Sequence, residues 1–180
     1  MRYVKVPRER IAVLIGKNGE TKEAIEKHGV KLTIDSSTGE VKIEGDDSLK
    51  ELEAENVVRA IARGFSPEKA LLLFNDDYYF ELLDIRDWAG KKVSHVKRLA
   101  GRVIGKDGKA RRVIEEITGA HIAIYGHTVA IIGKMDEIDF AKRAIEMLLE
   151  GANHATVYRY LEKERRRRKM EELGLWEKGI

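Results

Sequence analysis

The chain has 180 residues, 36% charged and 43% hydrophobic, and a net charge of only +3. It has no cysteine, which excludes disulfides and thiolate metal sites, and no apolar run near the ~20 residues that a membrane span needs. No signal peptide precedes the first strand-like residues, and interspersed charges of both signs fit a soluble, cytoplasmic protein.

Residues 2–7 alternate as a short strand, with Tyr3, Val4 and Val6 supplying β-preference, and Pro7 opens a helix over 8–15. A turn at Gly16, Lys17, Asn18 and Gly19 leads to a second helix over 20–28, closed by Gly29. Strands follow over 30–34 and 41–44, joined by a Ser36-Ser37-Thr38-Gly39 turn. Asp46 or Asp47 caps a long helix reaching about residue 63, with Val57, Val58 and Ile61 on its core stripe. Gly64, Phe65, Ser66 and Pro67 break the pattern. Ser66 caps a linker helix running through Leu71, Leu72 and Leu73 to Phe74, whose apolar density demands burial and predicts that it stitches two domains together.

Residues 78–85 read as the next strand and 86–92 as a connection longer than its earlier counterpart. Ser94 is placed to cap a helix that runs to Val103. The turn Gly105-Lys106-Asp107-Gly108 then opens a helix with Val113, Ile114 and Ile117 on one face. Short β-rich runs over 120–125 and 128–132 flank Gly126 and His127. A closing helix over 135–149 points Ile138, Ala141, Ile145 and Leu148 inward and ends at Gly151. The last helix, 154–173, docks by Val157 and Leu161 before turning polar. Its run Arg165-Arg166-Arg167-Arg168-Lys169 reads equally as a solvated face paired to Glu162 and Glu164 or as a basic arm for RNA.

The second half repeats the first. At an offset of 89, Gly16, Lys17, Gly19 and Ile25 fall on Gly105, Lys106, Gly108 and Ile114; at 90, Ile34 falls on Ile124. Gly45, Ala54 and Gly64 match Gly133, Ala141 and Gly151 at offsets of 88 and 87, the drift falling in turns. The domain boundaries expected are 1–65 and 78–152, a linker helix over 66–77 and a basic C-terminal helix over 153–180. Copies of this size sit near the lower limit for an independent core, so the two are expected to pack on each other. Charge is distributed unevenly: residues 1–65 are neutral, 66–91 carry −3, and 92–152 and 153–180 carry +3 each. An RNA footprint would therefore lie mainly on the second copy and the tail.

Each Gly-x-x-Gly turn has a physical logic. The glycines allow a sharp turn and close approach of a phosphate, and the following helix aims its unpaired N–H groups and positive dipole end at the turn. Lys106 adds a mobile charge, and Lys109, Arg111 and Arg112 add three more within a helical turn. The helix behind the first turn instead carries Glu20, Lys22 and Glu23, which predicts weaker phosphate binding there.

Both copies resemble K-homology (KH) domains of the type I order β-α-α-β-β-α, an α+β fold with a three-stranded sheet packed on three helices. Val103, Ile104, Gly105, Gly108, Ile114, Thr118, Gly119, Ala120 and Ile122 match the common KH pattern. Arg111 and Lys22 depart from it at an ordinarily apolar position, and with the run from Gly105 to Gly133 they resemble the Partner-of-Nob ribosome-assembly family, in its archaeal-type branch because Gly16-Lys17-Asn18-Gly19 is intact.

The resemblance implies a protein that holds the 3′ region of small-subunit 16S-type ribosomal RNA (rRNA) for maturation, with a PIN-domain endonuclease and an rRNA dimethyltransferase as partners, no cofactor and no catalysis. Such domains clamp about four single-stranded nucleotides by the GXXG loop and rest their bases on an apolar platform. The RNA-binding residues implied are Gly105, Lys106, Asp107, Gly108, Lys109, Arg111 and Arg112, with Val103, Val113 and Ile122 as platform, and Gly16, Lys17, Asn18 and Gly19 in the first copy. Ile104 and Ile114 are expected in the core, and Tyr125 is expected to cover the core edge.

Enzymatic readings find little. Neither glycine turn has the spacing of a Walker phosphate loop, the five histidines lack HxxxH or HExxH spacing, and no Ser-His-Asp order stands out. The alternatives are a KH-fold protein-interaction scaffold and an exosome-associated KH protein, though no residues remain for the S1 barrel that the latter carries.

Overall fold

The computed structural model describes residues 1–178; the last two residues of the expected C-terminal segment, 179–180, lie outside them. In the first repeat, β1 (Arg2–Lys5) leads through Pro7 into α1 (Arg8–Ile15), followed by α2 (Glu20–Glu26), β2 (Val30–Asp35), β3 (Glu40–Gly45) and α3 (Ser48–Ala62). The strands form an antiparallel sheet in the order β1-β3-β2. Asp47 caps α3 by accepting from Lys50 N at 2.8 Å. The second repeat has the same order: β4 (Tyr79–Asp84), α6 (Val93–Ile104), α7 (Lys109–Thr118), β5 (His121–Tyr125), β6 (Thr128–Gly133) and α8 (Met135–Glu150), with the sheet β4-β6-β5. These two sheets with their helices make the α+β, type I architecture expected.

Between the repeats, Ser66 accepts from Lys69 N at 3.4 Å at the start of α4 (Pro67–Ala70), and the chain tightens to 3₁₀ geometry over Leu71–Phe74. The connection after β4 is not a plain loop: it forms one turn of helix, α5 (Arg86–Ala89), which Gly90 ends at φ +73. After a bend at Lys91, Lys92 leads in extended, so the next helix starts at Val93 and Ser94 does not cap it. The last helix, α9 (His154–Lys178), is five residues longer than expected; along it Arg165, Arg167 and Arg168 pair with Glu162, Glu164 and Glu171. Among the described residues no helix is long and apolar enough to cross a membrane.

The two sheets differ on their outer faces. Strand residues alternate between faces, and residues paired across strands share one. The outer rows of the first sheet are Tyr3, Lys42 and Thr33, then Lys5, Glu40 and Asp35, all polar or amphipathic. Those of the second are Phe80, Ile132 and His121, then Leu82, Ala130 and Ala123. Every residue of β6 is buried, whereas β3 alternates. The helices of the second repeat cover one side of β6, burying Val129 and Ile131; the first repeat and the linker cover the other, where Ala130 and Ile132 join the core of α3 and β1. This is why α3 buries Val57, Val58, Ala60, Ile61 and Ala62 almost without interruption: near its end it packs on two sides.

Polar contacts close the seam. Arg63 donates from Nε to Thr128 Oγ1 (2.8 Å) and from Nη2 to the Tyr125 carbonyl (2.9 Å), and burial lowers its pKa. The Tyr125 hydroxyl donates to Glu9, with the Arg63 guanidinium 5.1 Å from its ring centroid. Arg10 donates to the carbonyls of Ile61 and Phe65 at 2.9 and 2.8 Å, fixing the exit from α3.

Candidate nucleic-acid interface

The two glycine loops are the same object built twice. Gly16 and Gly105 have φ of +76 and +75; Asn18 and Asp107 both sit at φ +55, a left-handed conformation these short polar side chains tolerate; Gly19 and Gly108 lie at +76 and +75. Gly19 N and Gly108 N donate back to the carbonyls of Gly16 and Gly105 at 3.2 and 3.1 Å. A Cβ on Gly105 would lie 2.6 Å from both Cβ and N of Ala110, and one on Gly16 would lie 2.8 Å from Thr21 N. Gly19 has open space and Gly108 only the tip of Arg112 nearby, so what those two supply is the positive φ. Each loop thus presents bare backbone at the start of a helix, where N–H groups and dipole favour an anion.

Side chains distinguish the loops. Lys106, Asp107, Lys109 and Arg112 are exposed, as are Lys17, Asn18 and Glu20. Arg112 donates from Nη1 to the Asp107 carbonyl at 2.6 Å and so staples the second loop. Glu23 stands at the corresponding position of the first, where it can do no such thing. Lys109 Nζ sits 5.7 Å from the Tyr158 ring centroid, tying the start of α7 to α9.

Beside the second loop runs a groove of about 430 Å³, with Ile104, Ile122, Ala123 and Ile124 along it, Arg111 at its edge, and residues 64–69 on the far side. The groove lining differs from expectation at two positions: Val113 packs against the second core instead of lining the groove, and Val103 and Ile104 exchange places. Val103 is fully buried in the core of the second repeat, whereas Ile104 is 38% exposed and faces the groove. The cause is helical phase: one step along α6 rotates a side chain by about 100°, and Leu99, Ala100 and Val103 define the buried stripe. Ile122, 2% exposed, belongs to the core and lines the groove only from beneath; Val113 is half-buried, and Ile114 belongs to the core.

Arg111 pairs with Glu115 at 3.1 Å. Glu115 accepts through its other oxygen from Ile122 N at 2.9 Å, holding α7 against β5 and setting the groove width. The first repeat makes the same brace, Glu26 accepting from Leu32 N at 3.0 Å. Sequence reasoning passed over this pair, yet the signal was present: Glu26 falls on Glu115 at the repeat offset of 89. Thr118 explains its own place in the motif, since its hydroxyl donates to the Ile114 carbonyl (2.7 Å) and accepts from Ala120 N (3.2 Å) around Gly119 at φ +83. Tyr125 and His127 are not stacking residues of the groove. Tyr125 belongs to the seam, and His127 Nδ1 lies 3.4 Å from Asp84.

Comparison with known proteins places this geometry. Residues 79–166 match the family model for the eukaryotic type KH-domain (KH-domain type I), and residues 1–60 match that for the KH domain. A KH domain-containing protein of Methanocaldococcus jannaschii is 50% identical, over 97% of this chain and 78% of its own length. The chain belongs to the pno1 family of KH-domain proteins. The RNA-binding protein pno1 of Dictyostelium discoideum is 31% identical over 88% of this chain and 69% of its own. Among solved structures, a chain of the a/eIF2alpha–aDim2p–rRNA complex from Pyrococcus horikoshii is 48% identical with a TM-score of 0.84, covering 92% of this chain and 93% of that one. The second KH match runs to residue 166, past α8, and so takes in Val157 and Leu161, which α9 buries in the second core.

Proposed function

We propose that this protein binds single-stranded RNA in the groove beside residues 105–108 and works as a small-subunit assembly factor that holds the 3′ region of 16S-type rRNA. The observation that carries the reading is the pairing of a bare-backbone loop at the start of α7 with an apolar groove edged by cations. Phosphates meet the loop N–H groups and Lys106, and bases lie on Ile104, Ile122 and Ile124. The pno1 relative named as RNA-binding and the rRNA in the Pyrococcus complex support the choice of ligand. The first loop plays an accessory part, since Glu20 and Glu23 repel phosphate beside it. The work is binding rather than catalysis and takes place in the cytoplasm, with a PIN-domain endonuclease and an rRNA dimethyltransferase acting on the RNA so presented.

Titration of a short RNA matching the 3′ end of small-subunit rRNA tests this, with Lys106→Asp and Lys17→Asp beside the parent. Lys106→Asp should weaken binding by about tenfold and flatten the salt dependence, and Lys17→Asp should have a smaller effect. If the parent does not bind, or neither change weakens it, the RNA reading fails and a protein scaffold takes its place.

A further inference from the structure

The far side of the groove does not belong to the second repeat. Gly64, Phe65, Ser66 and Lys69 form it, on the segment that leaves the end of α3 in the first. The segment is rigidly held. Gly64 N and Phe65 N donate to the carbonyls of Ile61 and Ala60 at 3.2 and 3.0 Å, Arg10 takes the Phe65 carbonyl, and the Phe65 side chain is 2% exposed. Gly64, at φ +107, passes so close to β5 that a Cβ there would lie 3.2 Å from that of Tyr125. The wall is therefore fixed against the strand that forms the groove floor.

Lys69 stands on this wall. It is half-buried, lines the groove, and makes no ion pair among the described residues. It is also the single basic residue from Gly64 to Ile85, a stretch with five acidic ones. Lys69 is thus a lone cation in an acidic connection, lining the same groove as Arg111. We propose that the single-strand groove is composite, and that Lys69 binds a backbone phosphate of the RNA beyond the nucleotides held by residues 105–108. The inference rests on the RNA-binding reading above and adds to it a reason for the packing of the two domains: docking the first repeat on the second sheet completes the binding site.

The test uses the full chain, labelled single-stranded RNAs of about four and about eight nucleotides, and a salt series. Variants are Lys69→Ala and Lys69→Arg, with Lys106→Asp as reference and thermal melts to check folding. On the longer RNA, Lys69→Ala should weaken binding about three- to tenfold and reduce the slope of log K against log salt by about 0.7. Lys69→Arg should retain both, and the shorter RNA should not sense the change. Unchanged affinity and slope for Lys69→Ala on the longer RNA overturns the composite groove, as does an equal loss on the shorter one, which would mean that Lys69 acts on the loop. If Lys106→Asp weakens binding and Lys69→Ala does not, only this inference falls; if neither does, the RNA reading falls with it.

Discussion

The loops of the two repeats agree in backbone angles to within 1°, and both repeats use a glutamate to brace the second helix against the neighbouring strand. They part company at two places: the charges behind the loop, and the outer face of the sheet. Lys42 and Glu44 in β3 correspond to Ala130 and Ile132 in β6. The first pair meets water and the second meets the other domain. One backbone thus serves two roles, and a few side-chain choices on a solvent face decide which copy is docked upon and which docks. The arrangement is head to tail: the helix side of the first domain sits on the sheet side of the second, which gives the second groove a wall from its neighbour.

The sharpest way to break this comparison is to exchange the outer faces. Ala130→Lys would bury an unpaired ammonium between the domains, at a residue with no exposed surface, and should cost about 3 kcal/mol or more in chemical denaturation. Lys42→Ala, the reverse change in the first sheet, should stay within about 0.5 kcal/mol. Equal, small effects at both positions would mean that the second sheet is not covered as described.

Next in size are the glycines, where the two repeats should agree in stability and differ in function. Gly105→Ala and Gly16→Ala each force a Cβ into the following helix at a positive φ, and each should cost about 2 kcal/mol or more. Gly108→Ala and Gly19→Ala meet open space or a movable arginine tip, so only the backbone penalty of about 1 kcal/mol remains. Urea melts rank the four. A cost at Gly108 as large as at Gly105 would show that crowding by Ala110 does not set the requirement. RNA affinity should fall more for Gly105→Ala than for Gly16→Ala, because Glu20 and Glu23 stand beside the first loop where Lys109 and Arg112 stand beside the second.

Much of this was legible in the sequence, and the physics explains which parts. Loop glycines, helix caps and strand alternation are local, so element order and the loops followed from spacing. The docking face was legible in principle: Val129 to Ile132 is apolar on both faces, the signature of a strand covered on both sides, whereas Glu40, Lys42 and Glu44 alternate with Val41 and Ile43. The exchange of Val103 and Ile104 was not legible, since two adjacent aliphatics in one helix differ only in phase, and tertiary packing sets the phase. Nor were the placements of Arg63, Arg10 and Lys69, which depend on a neighbour more than fifty residues away or on a groove floor supplied by the other repeat.

The smallest expected effect concerns an element that backs the second repeat alone. Helix α9 packs on α7 and α8, and Arg168 reaches from it to the Asp136 carbonyl (3.2 Å) and lies 4.4 Å from the Phe140 ring centroid. Glu164 anchors that arginine. Hydrogen bonding from Arg167 first, and then from Arg168, holds its carboxyl at about 2, against 4.5 for a free glutamate. A carboxyl depressed in the folded state stabilises that state fully above its unfolded pKa and loses the contribution as pH falls through the folded one. The brace from α9 should therefore be intact above pH 4.5 and fade toward about 2. Carboxyl NMR of Glu164 gives the midpoint directly. Arg167→Ala should raise it more than Arg168→Ala, in the order of their hydrogen bonds. A midpoint near 4.5 in the parent would mean that the arginines of α9 are free in solution, and the basic-arm reading of that helix would then replace the structural one.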